Sequence, residues 1–205
     1  MKNKILNIPV FPLSGALLLP NGNLPLNIFE QRYLSMVDHS LATNKFIGML
    51  QFENETKNTL YQVGCLGKIT SFNETNDNRY LINLLGIAKF KIINELKTNK
   101  NFRIFSVKTD NIENYNKLKK NNFNRKLLIN KIKLYFNNKN INIEWNVVKA
   151  IDDKQLINTM SMICPFDISE KQMLLESKNF NDLNEKLITL LEFNKNNASN
   201  YNSLN

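Results

Sequence analysis

Apolar and polar residues alternate along much of the first half of the chain, which is the period of a half-buried strand. The runs that show it lie at residues 63–69, 88–92 and 102–104. Asn76-Asp77-Asn78 supplies residues that tolerate positive φ, so a hairpin is predicted between residues 69–72 and 79–85. The first half is therefore predicted to form a small, curled, barrel-like antiparallel sheet.

The apolar period changes to that of a helix in the second half. Leu128, Ile132, Tyr135 and Phe136 recur at positions i, i+4, i+7 and i+8, which places them on one helical face. Later helical segments are residues 156–164, which end at Pro165, residues 173–175 and residues 183–191. We therefore predict an α+β protein with a sheet subdomain at residues 1–112, a helical bundle at 113–193 and a frayed tail at 194–205.

One helix is predicted within the sheet region, after an apolar run that prolines interrupt. The prolines at positions 9, 12, 20 and 25 fix φ and remove backbone donors, so this run is predicted to form short extended pieces separated by turns. Asn27 and Glu30 then have the spacing of a capping box. The apolar face of the helix that follows comprises Tyr33, Leu34, Val37 and Leu41.

Two helix starts in the second half also carry capping residues. Ser169 and Gln172 have capping-box spacing. Asp152-Asp153 could hold a hard cation, but the pair directly precedes a helical pattern, where acidic side chains cap the helix and offset its dipole. We predict a cap and no metal site.

Composition describes a globular protein. Of the 205 residues, 42% are hydrophobic, and no run approaches the length of about 18 apolar residues that a spanning helix needs. Asn7 and Pro9 interrupt the apolar start that a secretory signal requires, so we expect a soluble, cytoplasmic protein with no membrane partner. Cys65 and Cys164 have apolar neighbours and are predicted to be buried free thiols rather than a disulfide.

Positive charge is concentrated in one segment of a chain whose formal net charge is +9. Residues 97–139 contain twelve Lys or Arg and only two acidic residues. The candidate basic patch is Lys117, Lys119, Lys120, Arg125, Lys126 and Lys133. Interleaved aromatic residues resemble the stacking platforms of single-stranded nucleic-acid binders, so RNA binding is one interpretation. The many asparagines around this segment favour a second interpretation, a coding bias that needs no ligand.

Four short motifs carry a resemblance to a known family. The proline-broken segment leads into Phe29-Glu30-Gln31-Arg32-Tyr33, glycine-marked strand patterns occupy residues 64–69 and 84–90, and a helix ending in Pro165 precedes the Lys171–Glu176 run KQMLLE. In this order they resemble the amino-terminal, substrate-binding domain of the Lon protease family over nearly the whole chain. One departure is Lys89, where the family often has an arginine that can make a bidentate pair.

The resemblance implies a PUA-like sheet followed by helices and a non-catalytic, protein-binding module. Such a module would recognise exposed apolar or unfolded protein segments and could act as an adaptor for proteolysis. The contact residues that it indicates are Phe29, Glu30, Gln31, Arg32 and Tyr33, with the two aromatic residues also serving as core anchors. Four flexible methionines, Met36, Met49, Met160 and Met162, are predicted to line apolar grooves between the sheet and the helices.

Catalytic groupings are missing from the sequence pattern. The segment from Gly64 to Ile69 lacks the spacing and the hydroxyl residue of a phosphate loop, so the expected chain is a stand-alone family member without ATPase or protease domains. The single histidine, His39, has no nucleophile that can be paired with it and is predicted to be structural. We therefore predict no enzyme activity and no cofactor.

Overall fold

The structure is a computed structural model that describes residues 3–110 and 123–201, with side chains described as far as residue 193. Its strands are β1 Ile5–Pro12, β2 Asn23–Ile28, β3 Phe46–Leu50, β4 Phe52–Asn54, β5 Thr59–Leu60, β6 Val63–Glu74, β7 Tyr80–Leu96 and β8 Arg103–Thr109. Its helices are α1 Gln31–Leu41, α2 Arg125–Asn138, α3 Trp145–Ala150, α4 Asp153–Ile163, α5 Ile168–Leu175 and α6 Phe180–Tyr201. The predicted α+β class is confirmed.

Six strands form the main sheet in the order β2-β7-β6-β3-β1-β8, and β7 also pairs with β8. That extra pairing closes five strands into a ring, with β2 added along the first part of β7. The 17-residue strand β7 is long enough to pair with β2 over residues 80–85 and with β8 over residues 90–96. Its register with β8 shifts between Ile92 and Asn94, a bulge that bends the strand. Strands β4 and β5 form a separate small hairpin.

One pair in the ring departs from the antiparallel prediction. Strands β1 and β3 run parallel, with Val10 opposite Gly48 and Pro12 opposite Leu50. A parallel pair needs a crossover connection rather than a hairpin, and the chain supplies it through β2 and α1. The predicted β6–β7 hairpin is present, with Glu74 opposite Tyr80 and Asn78 at φ 59° in its turn.

Both predicted capping boxes are wrong, although both helices exist. Asn27 lies in β2 opposite Leu81, so α1 begins later, after Glu30, which makes no side-chain capping bond. Helix α5 is capped by Asp167 and Glu170. The Asp167 side chain accepts the backbone N–H of Glu170, and the Glu170 side chain accepts the backbone N–H of Asp167. The predicted cap at Asp152 is correct, since its side chain accepts the Gln155 N–H at 2.9 Å.

Two apolar clusters stabilise the molecule. The smaller one fills the ring, where all five strands contribute side chains and Leu60 is added from β5. The ring residues are Ile8, Val10, Leu50, Leu66, Phe90, Phe105 and Val107. The larger one continues from the outside of the ring into the helices, so the sheet and the bundle share a core. Met36, Met49 and Met160 are buried in this core, and Met162 is half-buried, so three of the four methionines do not line grooves as predicted.

Residues 111–122 lie outside the described ranges, so the predicted boundary between residues 112 and 113 stays a prediction. Helix α6 runs to Tyr201, beyond the start of the predicted tail at residue 194. Cys65 and Cys164 are buried and free, as expected. No helix within the described part of the chain is long and apolar enough to cross a membrane.

Candidate protein-binding surface

The motif Phe29-Glu30-Gln31-Arg32-Tyr33 forms the turn from β2 into α1, and its two aromatic residues have opposite environments. Tyr33 is buried, and its ring lies 4.3 Å, centroid to centroid, from the ring of Phe11. Phe29 is 64% exposed, so it is not the core anchor that the sequence predicts. Exposing a large aromatic side chain loses the free energy of burying it, about 2 kcal/mol. Phe29 is therefore the aromatic residue of this motif that is available to a partner.

The charged residues of the motif pair with each other. The Arg32 guanidinium donates to the Glu30 carboxylate at 3.0 and 2.9 Å and lies 4.5 Å from the centroid of the Tyr33 ring. Both charged side chains are about half exposed, so their attraction is weak and screened by water. The pair orders the first turn of α1 while leaving both groups accessible.

A second exposed aromatic residue, Phe72, lies on β6, which pairs with β7 beside the end of β2. Ile28 is opposite Tyr80, and the Tyr80 ring contacts that of Phe72 at 4.9 Å in a T-shaped arrangement. Phe72 is 41% exposed. The Arg79 guanidinium lies 5.8 Å from the Phe29 ring centroid, within the range of a cation–π contact. We call Phe29, Phe72, Arg79 and Tyr80 the aromatic corner.

A cationic groove lies on the other side of the start of α1. A pocket of about 90 Å³ there is lined by Arg32, Tyr33 and Phe52, together with Val10, Pro12, Asn58, Asn101, Phe102 and Arg103. An open depression of about 490 Å³ adjoins this pocket, because residues 101–103 line both cavities. The depression is also lined by residues 95–98 and Lys100. The groove is the union of these two cavities.

Arg103 is the fixed cation of this groove. Its guanidinium donates to both Glu95 oxygens, at 2.8 and 2.7 Å, and lies 4.9 Å from the Phe105 ring centroid. The hydrogen bonds from Arg103 hold the pKa of Glu95 below its usual value. Lys100 lies over the Phe102 ring at 5.6 Å. The linear pattern predicts only that residues 102–104 form a strand. Nothing in it indicates that β8 begins beside α1.

The candidate basic patch divides into three groups. Lys117, Lys119 and Lys120 lie outside the described residues. Lys126 and Lys133 are exposed on α2, the latter 5.4 Å from the Trp145 ring centroid.

Arg125, the remaining member of the patch, has a structural role. It pairs with Asp153 at 2.6 Å and donates to three carbonyl oxygens around the end of α3, those of Val148, Lys149 and Ile151, at 3.2, 3.2 and 2.7 Å. A guanidinium so engaged has little capacity left for a phosphate.

The Lys171–Glu176 run holds α5 against the sheet. Gln172 donates to the Val63 carbonyl at 3.1 Å and accepts from Gln51 at 3.2 Å, and Lys171 donates to the Gly15 carbonyl. These groups are buried or half-buried, so their hydrogen bonds replace those to water. The motif that resembles a family signature is therefore part of the interface between sheet and bundle.

Lys89 joins the same interface from β7. Its ammonium group donates to the Ser177 carbonyl in the connection between α5 and α6, and the side chain is 7% exposed. Burial lowers the pKa of Lys89 to about 8, because the charged form loses its hydration. This is the position where an arginine was expected from the resemblance.

His39 shows no catalytic arrangement. It is half-buried on α1, with its ring 5.5 Å from that of Phe102. Burial, with a smaller contribution from Lys100, lowers its pKa, so the neutral imidazole is favoured. Within residues 3–110 and 123–193, no three His, Cys, Asp or Glu side chains are grouped so that they could hold a metal ion.

Comparison with known proteins agrees with this architecture. The model of the ATP-dependent protease La (LON) substrate-binding domain matches residues 7–192. The Lon protease of Buchnera aphidicola subsp. Acyrthosiphon pisum is 26% identical over 93% of this chain, and Lon protease 1 of Bdellovibrio bacteriovorus is 24% identical over 90%. The chain spans 25% and 24% of the length of these two relatives.

Two solved structures share the fold. The Lon N-terminal domain protein from Xanthomonas campestris superposes with a TM-score of 0.65 at 18% identity, covering 92% of this chain and 99% of that one. The N-terminal domain of the Mycobacterium avium complex Lon protease gives a TM-score of 0.59 at 11% identity, covering 93% and 98%.

The ring of strands with a helical bundle on its flank therefore defines this chain as a Lon N-terminal type of α+β protein, a class of substrate-binding domain. The family match extends over both parts of the molecule. The chain belongs to the ATP-dependent protease La (LON) substrate-binding domain family.

Proposed function

We propose that this protein is a non-catalytic module that captures exposed apolar or unfolded segments of other proteins. The family supports the substrate class, since its members' matched region is named for substrate binding. The observation that carries the proposal is the exposure of Phe29 beside Arg79, because aromatic residues on a rigid surface are preferred anchors in interfaces. Of the five predicted contact residues, Phe29 and Arg32 would contribute most to binding and Tyr33 would hold the turn.

The cationic groove gives the proposed surface a charge preference. Arg32, Lys97, Lys100 and Arg103 border it. Arg103 is paired with Glu95 and Arg32 with Glu30, so Lys97 and Lys100 supply the net positive charge of the groove. A captured segment with a carboxylate next to an apolar residue would place the two at the groove and the aromatic corner. Positive potential of this kind raises association rates more than final affinity, and salt screens it.

The test compares two substitutions of equal exposure. Fluorescence anisotropy would measure binding of a labelled, chemically unfolded and alkylated protein to the wild type, to Phe29→Ser and to Ile5→Ser. Phe29 and Ile5 are 64% and 66% exposed, so both variants should fold. We expect Phe29→Ser to weaken binding by about tenfold, typical of an interface anchor, and Ile5→Ser to leave it unchanged. Equal affinities for all three proteins would refute the role of the aromatic corner.

A role as an adaptor for proteolysis is a further part of the proposal. The family match, together with relatives that are named Lon proteases, supports it. An ATP-dependent protease from the same cell should degrade the labelled unfolded protein faster when the chain is added. The Phe29→Ser variant should not accelerate degradation. If the wild type does not accelerate it either, the adaptor role is refuted and the binding proposal is unaffected.

RNA binding through residues 97–139 is the rival function. The engagement of Arg125 with α3 weighs against it, whereas exposed Lys126 and Lys133 remain available. Binding to RNA should fall linearly with salt on a log-log scale, and Lys126→Ala with Lys133→Ala should reduce that slope by about 2. Capture of an unfolded protein should keep most of its affinity as salt rises. Nuclease-sensitive capture would favour the rival.

A further inference from the structure

A second pocket lies where the β1–β2 connection meets α4, away from the aromatic corner. Its volume is about 290 Å³. Its lining consists of Asn21, Gly22, Asn23, Ile151, Gln155, Asn158, Thr159, Met162 and Ile163. None of these side chains is charged, although the protein carries a net charge of +9. The pocket therefore suits a neutral group that has hydrogen-bonding capacity and an apolar part.

Asn158 gives the pocket a specific requirement. The residue is 3% exposed, and its Nδ2 donates to the Pro20 carbonyl at 2.8 Å. That bond fixes the orientation of the amide, because the opposite orientation would place two oxygens together. The buried Oδ1 has no hydrogen-bond partner within the described part of the chain. A buried acceptor without a donor is unfavourable, so a ligand that brings an N–H here gains a hydrogen bond that the free protein lacks.

The apolar side of the pocket is supplied by the end of α4. Met162 is half-buried, and Ile163 is 52% exposed. A Cβ on Gly22 would lie 2.4 Å from the Met162 sulfur, so the glycine allows the β1–β2 connection to approach this side chain closely. An aliphatic group in the pocket would contact Met162 on one side and cover Ile163 on the other. A methionine wall adapts to different aliphatic shapes.

We propose that this pocket binds a short, extended stretch of polypeptide, with a backbone N–H donated to Asn158 Oδ1 and an aliphatic side chain placed against Met162 and Ile163. The chemistry matches, because a peptide unit is neutral and carries the donor that Asn158 lacks, while Gln155 and Thr159 can serve its carbonyl. A nucleotide fits this pocket poorly, because its own lining offers no aromatic ring for stacking and no cation for phosphate. The adjoining cavity, which shares Asn158, does contain Lys154 and Phe180, but the Lys154 ammonium group lies over the Phe180 ring at 5.8 Å beside Asp152. The inference rests on the proposed function for its ligand class but places binding on a separate surface.

The experiment uses two small probes that differ at one atom. The first is the blocked tripeptide acetyl-Gly-Leu-Gly amide, and the second is its ester analogue, in which an oxygen replaces the leucine N–H. Methyl NMR of 13C-labelled methionines would follow both titrations, with the Met162 signal as reporter. We expect the tripeptide to shift that signal and the ester to bind about tenfold more weakly. Equal affinity for both probes would overturn the proposal, since it would show that the leucine N–H makes no hydrogen bond to Asn158 Oδ1.

Substitutions at the rim provide the control without disturbing Asn158. Ile163→Glu introduces a charge at an exposed position, and Val147→Glu does the same on α3, where Val147 is 55% exposed. We expect the first variant to abolish the tripeptide shift and the second to preserve it. A preserved shift in Ile163→Glu, or no Met162 shift in the wild type at millimolar probe, would also overturn the proposal.

The two proposals fail separately. Phe29→Ser should leave the tripeptide titration unchanged, because Phe29 is not part of the pocket. If the protein does not bind unfolded chains but binds the tripeptide more tightly than its ester, the proposed function is refuted and the peptide pocket is supported. The opposite result, capture of unfolded chains with no discrimination between the probes, would refute the pocket and support the proposed function.

Discussion

Gln51 and Gln172 form a buried amide contact, with the Gln51 Nε2 3.2 Å from the Gln172 Oε1, where the end of β3 meets α5. Gln51 also donates to the Ile168 carbonyl at 3.3 Å, and Gln172 to that of Val63 at 3.1 Å. The Gln51 Nε2 and both polar atoms of the Gln172 side chain are thus hydrogen-bonded away from water, whereas the buried Oε1 of Gln51 has no partner within the described part of the chain. Apolar packing alone would allow α5 to slide, whereas these directional bonds define its position on the sheet.

Replacing Gln172 should therefore destabilise the whole molecule. Gln172→Ala removes the bonds to Gln51 and Val63 and leaves buried groups without partners. We expect a loss of about 2–3 kcal/mol in the free energy of unfolding, measured by urea denaturation. Met173→Ala is the matched control, because Met173 is adjacent and 38% exposed, and its loss should be smaller. Equal losses in both variants would contradict the role of the amide contact.

Lys89 should make stability depend on pH at alkaline values. Burial lowers its pKa in the folded state to about 8 from an ordinary value of 10.5, so the unfolded chain binds more protons between these values. The cost of burying the charge lowers the unfolding free energy in full below pH 8, and this cost is removed as the pH rises towards 10.5. Over this pH window the unfolding free energy should therefore rise by about 3 kcal/mol.

The measurement is the difference in unfolding free energy between the wild type and Lys89→Met across this pH window. That difference should change in favour of the wild type as pH rises. Lys91→Met provides the control, because Lys91 lies two residues further along β7 and is exposed. Its difference from the wild type should stay constant, and the prediction fails if both variants give parallel curves.

Arg125 should affect stability rather than nucleic-acid binding. Arg125→Ala removes the pairing with Asp153 and the bonds to three carbonyls near the end of α3, which should lower the unfolding free energy by about 2–3 kcal/mol. Lys126→Ala, at the exposed neighbouring position, should change it by less than about 0.5 kcal/mol. Thermal melts of both variants, followed by circular dichroism, would check this. Indistinguishable melting temperatures would show that the Arg125 contacts contribute little.

Two glycines that contact the same connection should differ in tolerance. A Cβ on Gly86 would lie 2.0 Å from the Leu19 carbonyl oxygen, which is backbone and cannot move without displacing the β1–β2 connection. A Cβ on Gly22 would meet mainly the flexible end of Met162. We expect Gly86→Ala to cost more than about 3 kcal/mol and Gly22→Ala clearly less. Urea midpoints would compare them, and a larger loss at Gly22 would contradict this account.

The sequence predicts helices and strands well wherever burial follows one local period. Leu128, Ile132, Tyr135 and Phe136 are all buried on α2, as their spacing requires. The capping predictions at Asn27 and Ser169 are wrong although both polar pairs have the correct spacing. Spacing alone does not exclude other hydrogen-bond partners, and in both pairs another partner is used. Asn27 pairs in β2, and Gln172, the predicted partner of Ser169, is drawn into the contact with Gln51.

The candidate site is less predictable. The order Phe-Glu-Gln-Arg-Tyr indicates where the turn into α1 lies, but it gives no reason for Tyr33 to be buried and Phe29 exposed. That difference depends on Phe11, which β1 places against Tyr33. Arg103 and the pocket around Asn158 come from segments far apart in the chain, so no local pattern could have placed them beside their neighbours.

By itself the sequence determined the α+β class, the change from strand period to helix period, the buried free cysteines and the family resemblance, because each depends on residue types and spacings along the chain. Only the tertiary structure decided which side chains meet across distance. Closure of the ring by β7 and β8, the parallel pairing of β1 with β3, and the buried contacts of Lys89 and Gln172 depend on long-range packing. Such contacts form where three-dimensional fit and desolvation outweigh local preference, and a linear pattern contains neither.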